Sequence, residues 1–250
     1  MKTPMRALVF GLMLGALALQ TRTVSSGELV PDGEKELNEK YHVPLTKEAL
    51  LRALNDQAPV VRGAAAFKLV AQGNKDAIPF ILAALAREQV VTIRTGLAYA
   101  AALLGAEEGT AALKSMCANK ESPLVIRMTA AQTSSYLNNE DCLPDVLDAL
   151  GSHDDQDDPA VSVALGVLRR YQRVPEDAAQ QIRQLVPPLL KSGDPVRRAD
   201  ASDVLGKFGD ATSIRQLKIA LAAEQNETAR KAMTSAITSL ESELAKPTGQ

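Results

Sequence analysis

The chain has no tryptophan, only 3% aromatic residues, two cysteines and two histidines in 250 residues. So few aromatics argue against an aromatic-lined ligand pocket. So few histidines leave Cys117 and Cys142 without a base nearby, because His42 and His153 both read as loop residues, and a nucleophilic cysteine needs one. G-x-S-x-G, a phosphate-binding glycine loop, H-E-x-x-H and C-x-x-C are all missing. Nor is there a run of basic residues. Lys and Arg number 28 against 30 Asp and Glu, so the sequence carries no electrostatic footprint for nucleic acid. One long apolar run exists, residues 7–19, and its 13 residues fall short of the roughly 20 that a membrane-spanning helix needs.

What the chain has is a period. Arginines stand at 62, 94, 127, 198 and 230, with steps of 32, 33, 71 and 32; the double step leaves room for one more unit, with Ser162 in the arginine position. A fixed period in the thirties marks stacked helix pairs. An acid lies six residues before four of the arginines: Asp56 before Arg62, Glu88 before Arg94, Glu121 before Arg127 and Glu224 before Arg230. Eleven residues after an arginine stand Gly73, Gly105, Asn138 and Gly209, residue types that tolerate the left-handed conformation ending a helix. Ser122-Pro123, Asp158-Pro159 and Asp194-Pro195 read as a capping side chain followed by a proline at the first helical position. Between these signals lie AIPFILAAL (77–85), CLPDVLDAL (142–150) and IRQLKIALAA (214–223), apolar at helical rather than alternating spacing. Each unit is therefore expected to be a first helix, a turn and a second helix.

PVVRGAAAFKL (59–69), PLVIRMTAA (123–131) and DPVRRADASDVLG (194–206) resemble HEAT repeats, in the form also called phycobilisome-lyase HEAT-like repeats. The resemblance implies an all-α, right-handed α-solenoid (superhelix) of about six stacked helix pairs over residues 46–244. It also implies a proline inside the first helix, matched to Pro79, Pro144 and Pro187. Its Asp/Arg pairs form an inter-repeat ladder, here Asp56, Arg62, Glu88, Arg94, Glu121, Arg127, Arg198, Glu224 and Arg230. Two units depart from it. Gln156 and Ser162 replace the acid and arginine of the fourth, while the fifth has Ser192 before Arg198, leaving Asp194 or Asp200 to substitute, and a double proline at 187–188. A looser joint or a change of curvature is expected between residues 150 and 195.

Residues 1–20 read as a secretory signal, with Lys2 and Arg6 ahead of the apolar core and Ala16-Leu17-Ala18 as the small-residue cleavage site. Its loss leaves 26 basic against 30 acidic residues, a mature charge of −4. Residues 21–45 form a polar lead or N-terminal cap, and 245–250 a disordered tail. Export makes a Cys117–Cys142 disulfide conceivable. Equivalent helices run parallel, however, and an offset of about seven residues would separate the two by ~10 Å of rise, so separate buried thiols are expected.

The run His153-Asp154-Asp155-Gln156-Asp157-Asp158 is a candidate cation loop through Asp154, Asp155 and Asp157, oxygen ligands that suit calcium. It lacks the glycine of an EF-hand turn and reads better as a solvated acidic loop. Asn226-Glu227-Thr228 fits a glycosylation acceptor. No catalytic residue and no cofactor are assigned. The reading is an exported, periplasmic or extracellular scaffold that binds a protein partner through its helical surface, with no nucleic acid and no membrane insertion. The alternative, implied by the family resemblance, is a cofactor-handling or bilin-lyase-like protein.

Overall fold

The structure, a computed structural model, describes residues 36–151 and 159–246. The signal segment, most of the polar lead, the acidic loop at 153–158 and the last four residues of the tail lie outside the described residues. Among the described residues there is no strand, and no helix is long and apolar enough to cross a membrane.

The α-helices are α1 (Lys47–Ala53), α2 (Pro59–Ala71), α3 (Ile78–Arg87), α4 (Val91–Leu103), α5 (Glu107–Ala118) and α6 (Leu124–Ser135). They continue with α7 (Leu143–Gly151), α8 (Pro159–Arg170), α9 (Glu176–Leu185), α10 (Pro195–Phe208), α11 (Ala211–Ala223) and α12 (Glu227–Leu244). A π-helical turn, Glu36–Lys40, precedes them, and 3-10 turns occupy Lys75–Ala77 and Pro187–Lys191. Each repeat arginine, and Ser162 with them, is the fourth residue of its helix, so α2, α4, α6, α8, α10 and α12 are the first helices. The second helices are α3, α5, α7, α9 and α11. The sixth unit departs from expectation: α12 runs 18 residues and no second helix follows it among the described residues.

The chain divides into two compact units, residues 1–109 and 110–250. In the first, α2 packs on α1 and on α4, and α3 packs on α4, around Leu50, Leu54, Val61, Leu69, Ile81 and Leu97. The lead contributes Leu37, which is buried in this core, while the turn that carries it packs on α2. In the second unit α8 packs between α6 and α10, α10 packs on α12, and α7 packs on α9. The core there is built on Met128, Val146, Leu165, Leu168, Ile182, Leu205 and Met233. Small residues set the closeness of the last contact: a Cβ on Gly206 of α10 would lie 3.0 Å from Ala236 Cα of α12. The other face of α12 exposes Thr228, Lys231, Thr234, Ser235, Thr238, Ser239 and Glu241, the polar outer surface that a terminal repeat needs.

The stop signals hold at Gly73, Gly105 and Asn138, with φ of 67°, 97° and 55°. They fail at Gly209, whose φ of −77° is extended, because Asp210 immediately begins a new cap. Of the starts, Asp194 caps α10 by accepting from Val196 N–H at 2.9 Å. Ser122 does not cap α6, which begins one residue later, at Leu124 after Pro123. Asp158 lies outside the described residues. Pro79 and Pro144 sit at the second position of second helices rather than inside first helices, where the missing N–H costs nothing. Pro187 opens the 3-10 turn. Asp210 caps α11 through 2.9 Å bonds from Thr212 and Ser213 N–H. Its replacement by alanine is expected to cost about 1 kcal/mol in a denaturant titration, and an unmoved midpoint would show that the cap is idle.

Candidate functional site: the ladder and the groove of the second unit

The arginine ladder runs between repeats, and its geometry explains the six-residue spacing. Arg62 Nε and Nη2 fork onto both oxygens of Glu88, 2.6 and 2.8 Å away, in the next unit along. Its third arm, Nη1, donates to the backbone carbonyls of Asp56 and Gln57 at 2.8 and 3.1 Å. Arg198 repeats the pattern, forking onto Glu224 at 2.5 and 2.8 Å and donating to Ser192 and Gly193 carbonyls. A helical side chain leans back toward the N-terminus of its helix, so an arginine in the first turns reaches the carbonyl of the residue six before it, not that residue's carboxylate. The carboxylate is left free for two other jobs. Glu88 accepts from Val90 N–H, Glu224 from Gln225 and Asn226 N–H, and Asp56 from Ala58 N–H.

Several sequence pairings are corrected by this. Glu224 belongs to Arg198, and among the described residues Arg230 donates to the Glu224 and Leu221 carbonyls. The acid of Arg198 is accordingly neither Asp194, which caps α10, nor Asp200, which pairs with Arg169 of α8. Arg127 turns away from Glu121 toward Asp145 and Asp148 on α7, at 3.7 and 3.5 Å, and to the Cys117 carbonyl at 3.0 Å. Arg94 keeps a buried Nε without a hydrogen-bond partner among the described residues. Where Ser162 replaces an arginine, its hydroxyl accepts from Arg197 Nε at 3.1 Å, and Arg169 reaches Asp200 and Asp203 of α10.

Burial works to raise the Glu88 carboxyl, but the Arg62 fork and the Val90 and Gln89 N–H groups hold it below the usual range. Glu224 falls further, to about 2, chiefly through Arg198. Both arginines are raised by the same bonds. These ion pairs join neighbouring repeats.

The cysteines form a disulfide, contrary to the expectation of separate thiols: Cys117 and Cys142 have Cα atoms 5.9 Å apart. Cys117 lies near the end of the second helix α5 and Cys142 at the entry to the second helix α7, and the two helices are staggered. Cys142 immediately precedes α7, and its Sγ also lies 4.0 Å from the Leu113 carbonyl, so the start of α7 sits against the last turns of α5. That stagger removes the ~10 Å offset of an in-register alignment.

The double proline has a larger consequence than a looser joint. Neither Pro187 nor Pro188 can donate, so the carbonyls of Arg183 and Gln184 lose their partners four residues on. Helix α9 ends at Leu185, and the chain turns into the 3-10 segment, which packs on both α10 and α11. Between α9 and α11 this leaves an open groove of about 1100 Å³. One wall is a stripe of α11 at helical spacing, Gln216, Ile219, Ala220 and Ala223; the other holds Arg183, Gln184, Pro187, Pro188 and Lys191, and the Arg198–Glu224 pair lies at one end. Ile219 is 72% exposed, the most exposed large apolar side chain among the described residues. Composition and motifs gave no hint of this groove; the double proline beside a period break was its one visible signal. Among the described residues no group of three His, Cys, Asp and Glu side chains is placed to hold a metal.

The fold and ladder define an all-α protein of stacked helix pairs. Residues 47–134 match the family model for HEAT repeats. No curated protein sequence matches the chain. Among solved structures the chain is similar to human deoxyhypusine hydroxylase in complex with glycerol, at 17% identity and a TM-score of 0.37, covering 96% of this chain and 92% of that one.

Proposed function

We propose that the protein is a non-catalytic scaffold that binds a partner protein through the second helices of residues 110–250, in the periplasm or outside the cell. The observation that carries this reading is the groove between α9 and α11, with Ile219 standing 72% exposed on its wall. Ile219 does not stand alone there: with Ala220, Ala223, Pro187 and Pro188 it forms an apolar lining, and contiguous apolar surface is what a binding surface offers. The Arg62–Glu88 and Arg198–Glu224 pairs of the repeat register are occupied in holding neighbouring units together, which supports a structural rather than a chemical use of them.

Export rests on the leader-like residues 1–20, and the disulfide supports it, because such bonds persist in oxidising compartments and are rare in reducing ones. HEAT-type stacks commonly present repeated helices to other proteins. Quantitative affinity capture with the full chain and with Ile219→Asp tests the reading. The expected result is one protein enriched by the first and depleted at least tenfold by the second. Capture of no protein, or purification with a bound chromophore, would overturn it.

A further inference from the structure

The groove carries more than an apolar wall. Gln184, Gln216 and Gln225 all line it, and none of their side chains makes a hydrogen bond among the described residues. A carboxamide both donates and accepts, as a peptide unit does, so it pairs readily with extended backbone. Pro187 and Pro188, having no N–H, also leave the carbonyls of Arg183 and Gln184, two residues of the lining, without the donor four residues on. The α11 stripe from Gln216 to Ala223 rises ~10 Å, the length of about three residues of extended chain.

The charge of the lining has one sign left over. Arg198 and Glu224 satisfy each other, and Arg183 is held by Glu176 and lies 3.9 Å from Asp210. Lys191 is exposed and makes no ion pair among the described residues, standing at the end of the 3-10 turn in the lining of the groove. An acidic side chain is its complement.

Resting on the scaffold reading above, we propose that this groove binds an extended polypeptide segment of the partner. The segment's backbone is paired by Gln184, Gln216 and Gln225, an aliphatic side chain lies against Ile219, and an Asp or Glu meets Lys191. The extended conformation follows from the pairing groups: a helical segment has already spent its backbone N–H and C=O groups and offers none to a row of carboxamides.

Selection of a displayed random twelve-residue peptide library on the full, oxidised chain tests this. Enriched peptides are expected to carry an acidic residue within about four positions of an aliphatic one. Their affinity, read by fluorescence polarisation of the labelled peptide, is expected to fall at least tenfold on Ile219→Asp and on Lys191→Glu. It should stay unchanged on Phe80→Asp, a substitution at an exposed residue of α3 in the other unit. Exchange of the peptide's acid for lysine should restore binding to Lys191→Glu. Ile219 and Lys191 are both exposed, so unchanged unfolding midpoints separate lost contact from lost fold. Failure of any peptide to enrich, enrichment without acidic residues, or equal affinity for wild type and Ile219→Asp would each overturn the proposal. If Lys191→Glu and Ile219→Asp also still capture the partner protein, the scaffold reading stands while the groove assignment falls. If even the unmodified chain captures nothing, the scaffold reading itself falls.

Discussion

Reduction of the Cys117–Cys142 bond is expected to lower the stability of the unit formed by residues 110–250 by about 3 kcal/mol. The bond closes a loop of 25 residues, and cross-linking a loop of that length removes this much chain entropy from the unfolded state. Both sulfur-bearing residues are fully buried, beside Met128 and Val146 in the same core, so the bond also fastens the start of α7 to the end of α5 at a tightly packed point. Thermal unfolding with and without dithiothreitol reads the effect, expected as a fall of about 6–12 °C. The double substitution Cys117→Ala with Cys142→Ala should unfold near the reduced temperature and be insensitive to the reductant. A wild-type chain indifferent to reductant would show that the two thiols are not bonded in solution, and would remove the disulfide's support for export.

The second large effect is expected at the Arg198–Glu224 rung. Arg198→Ala leaves a carboxylate that is only 5% exposed without its fork, and is expected to cost about 1–3 kcal/mol. The rung also sets a pH dependence. The folded Glu224 carboxyl titrates at about 2, below its ordinary 4.5. A depressed acid contributes stability that is complete above its unfolded value and lost as pH falls through the folded one. Acid should therefore weaken this unit between pH 4.5 and 2, by about 1–2 kcal/mol after solvent screening, and Arg198→Ala should remove most of that slope. A double-mutant cycle separates rung from cap: Arg198→Ala and Glu224→Gln should couple by about 1 kcal/mol or more, whereas Arg230→Ala and Glu224→Gln should be nearly additive. Coupling to Arg230 in place of Arg198 would mean that the pairing runs within a repeat.

The helical architecture was legible because it is written in short-range chemistry. An arginine at the fourth position of five of the six first helices, a left-handed Gly or Asn after three of them and a proline at a helix start act within one or two turns, and each is visible as a spacing. Partner choice was less legible, since it depends on which way a side chain leans. At Arg62, Arg198 and Arg230 the six-residue interval joins the arginine to a backbone carbonyl, while the carboxylates of Glu88 and Glu224 serve the arginine of the previous repeat, 26 residues back along the chain. The disulfide was hidden by stagger: the start of α7 slides along α5, an offset no periodicity records. The groove was hidden for a third reason. Pro187-Pro188 announces that α9 must stop, yet the direction taken by the following 3-10 turn, and so the gap left before α11, is decided by packing on α10. The polar outer face of α12 marks the stack's end in composition alone, through its Thr, Ser, Lys and Glu residues, but only in the fold does that run become a terminal surface.

Site-directed photo-crosslinking in the expressing cell tests most directly whether the second helices of residues 110–250 carry the partner. A photoreactive amino acid is placed at Ile219, in the groove, and separately at Lys231, on the outer face of α12, where it pairs only with Glu227 of its own helix. The account predicts one discrete adduct from position 219, lost when Lys191→Glu is added, and none from position 231. Adducts of equal yield from both positions, or from 231 alone, would contradict it.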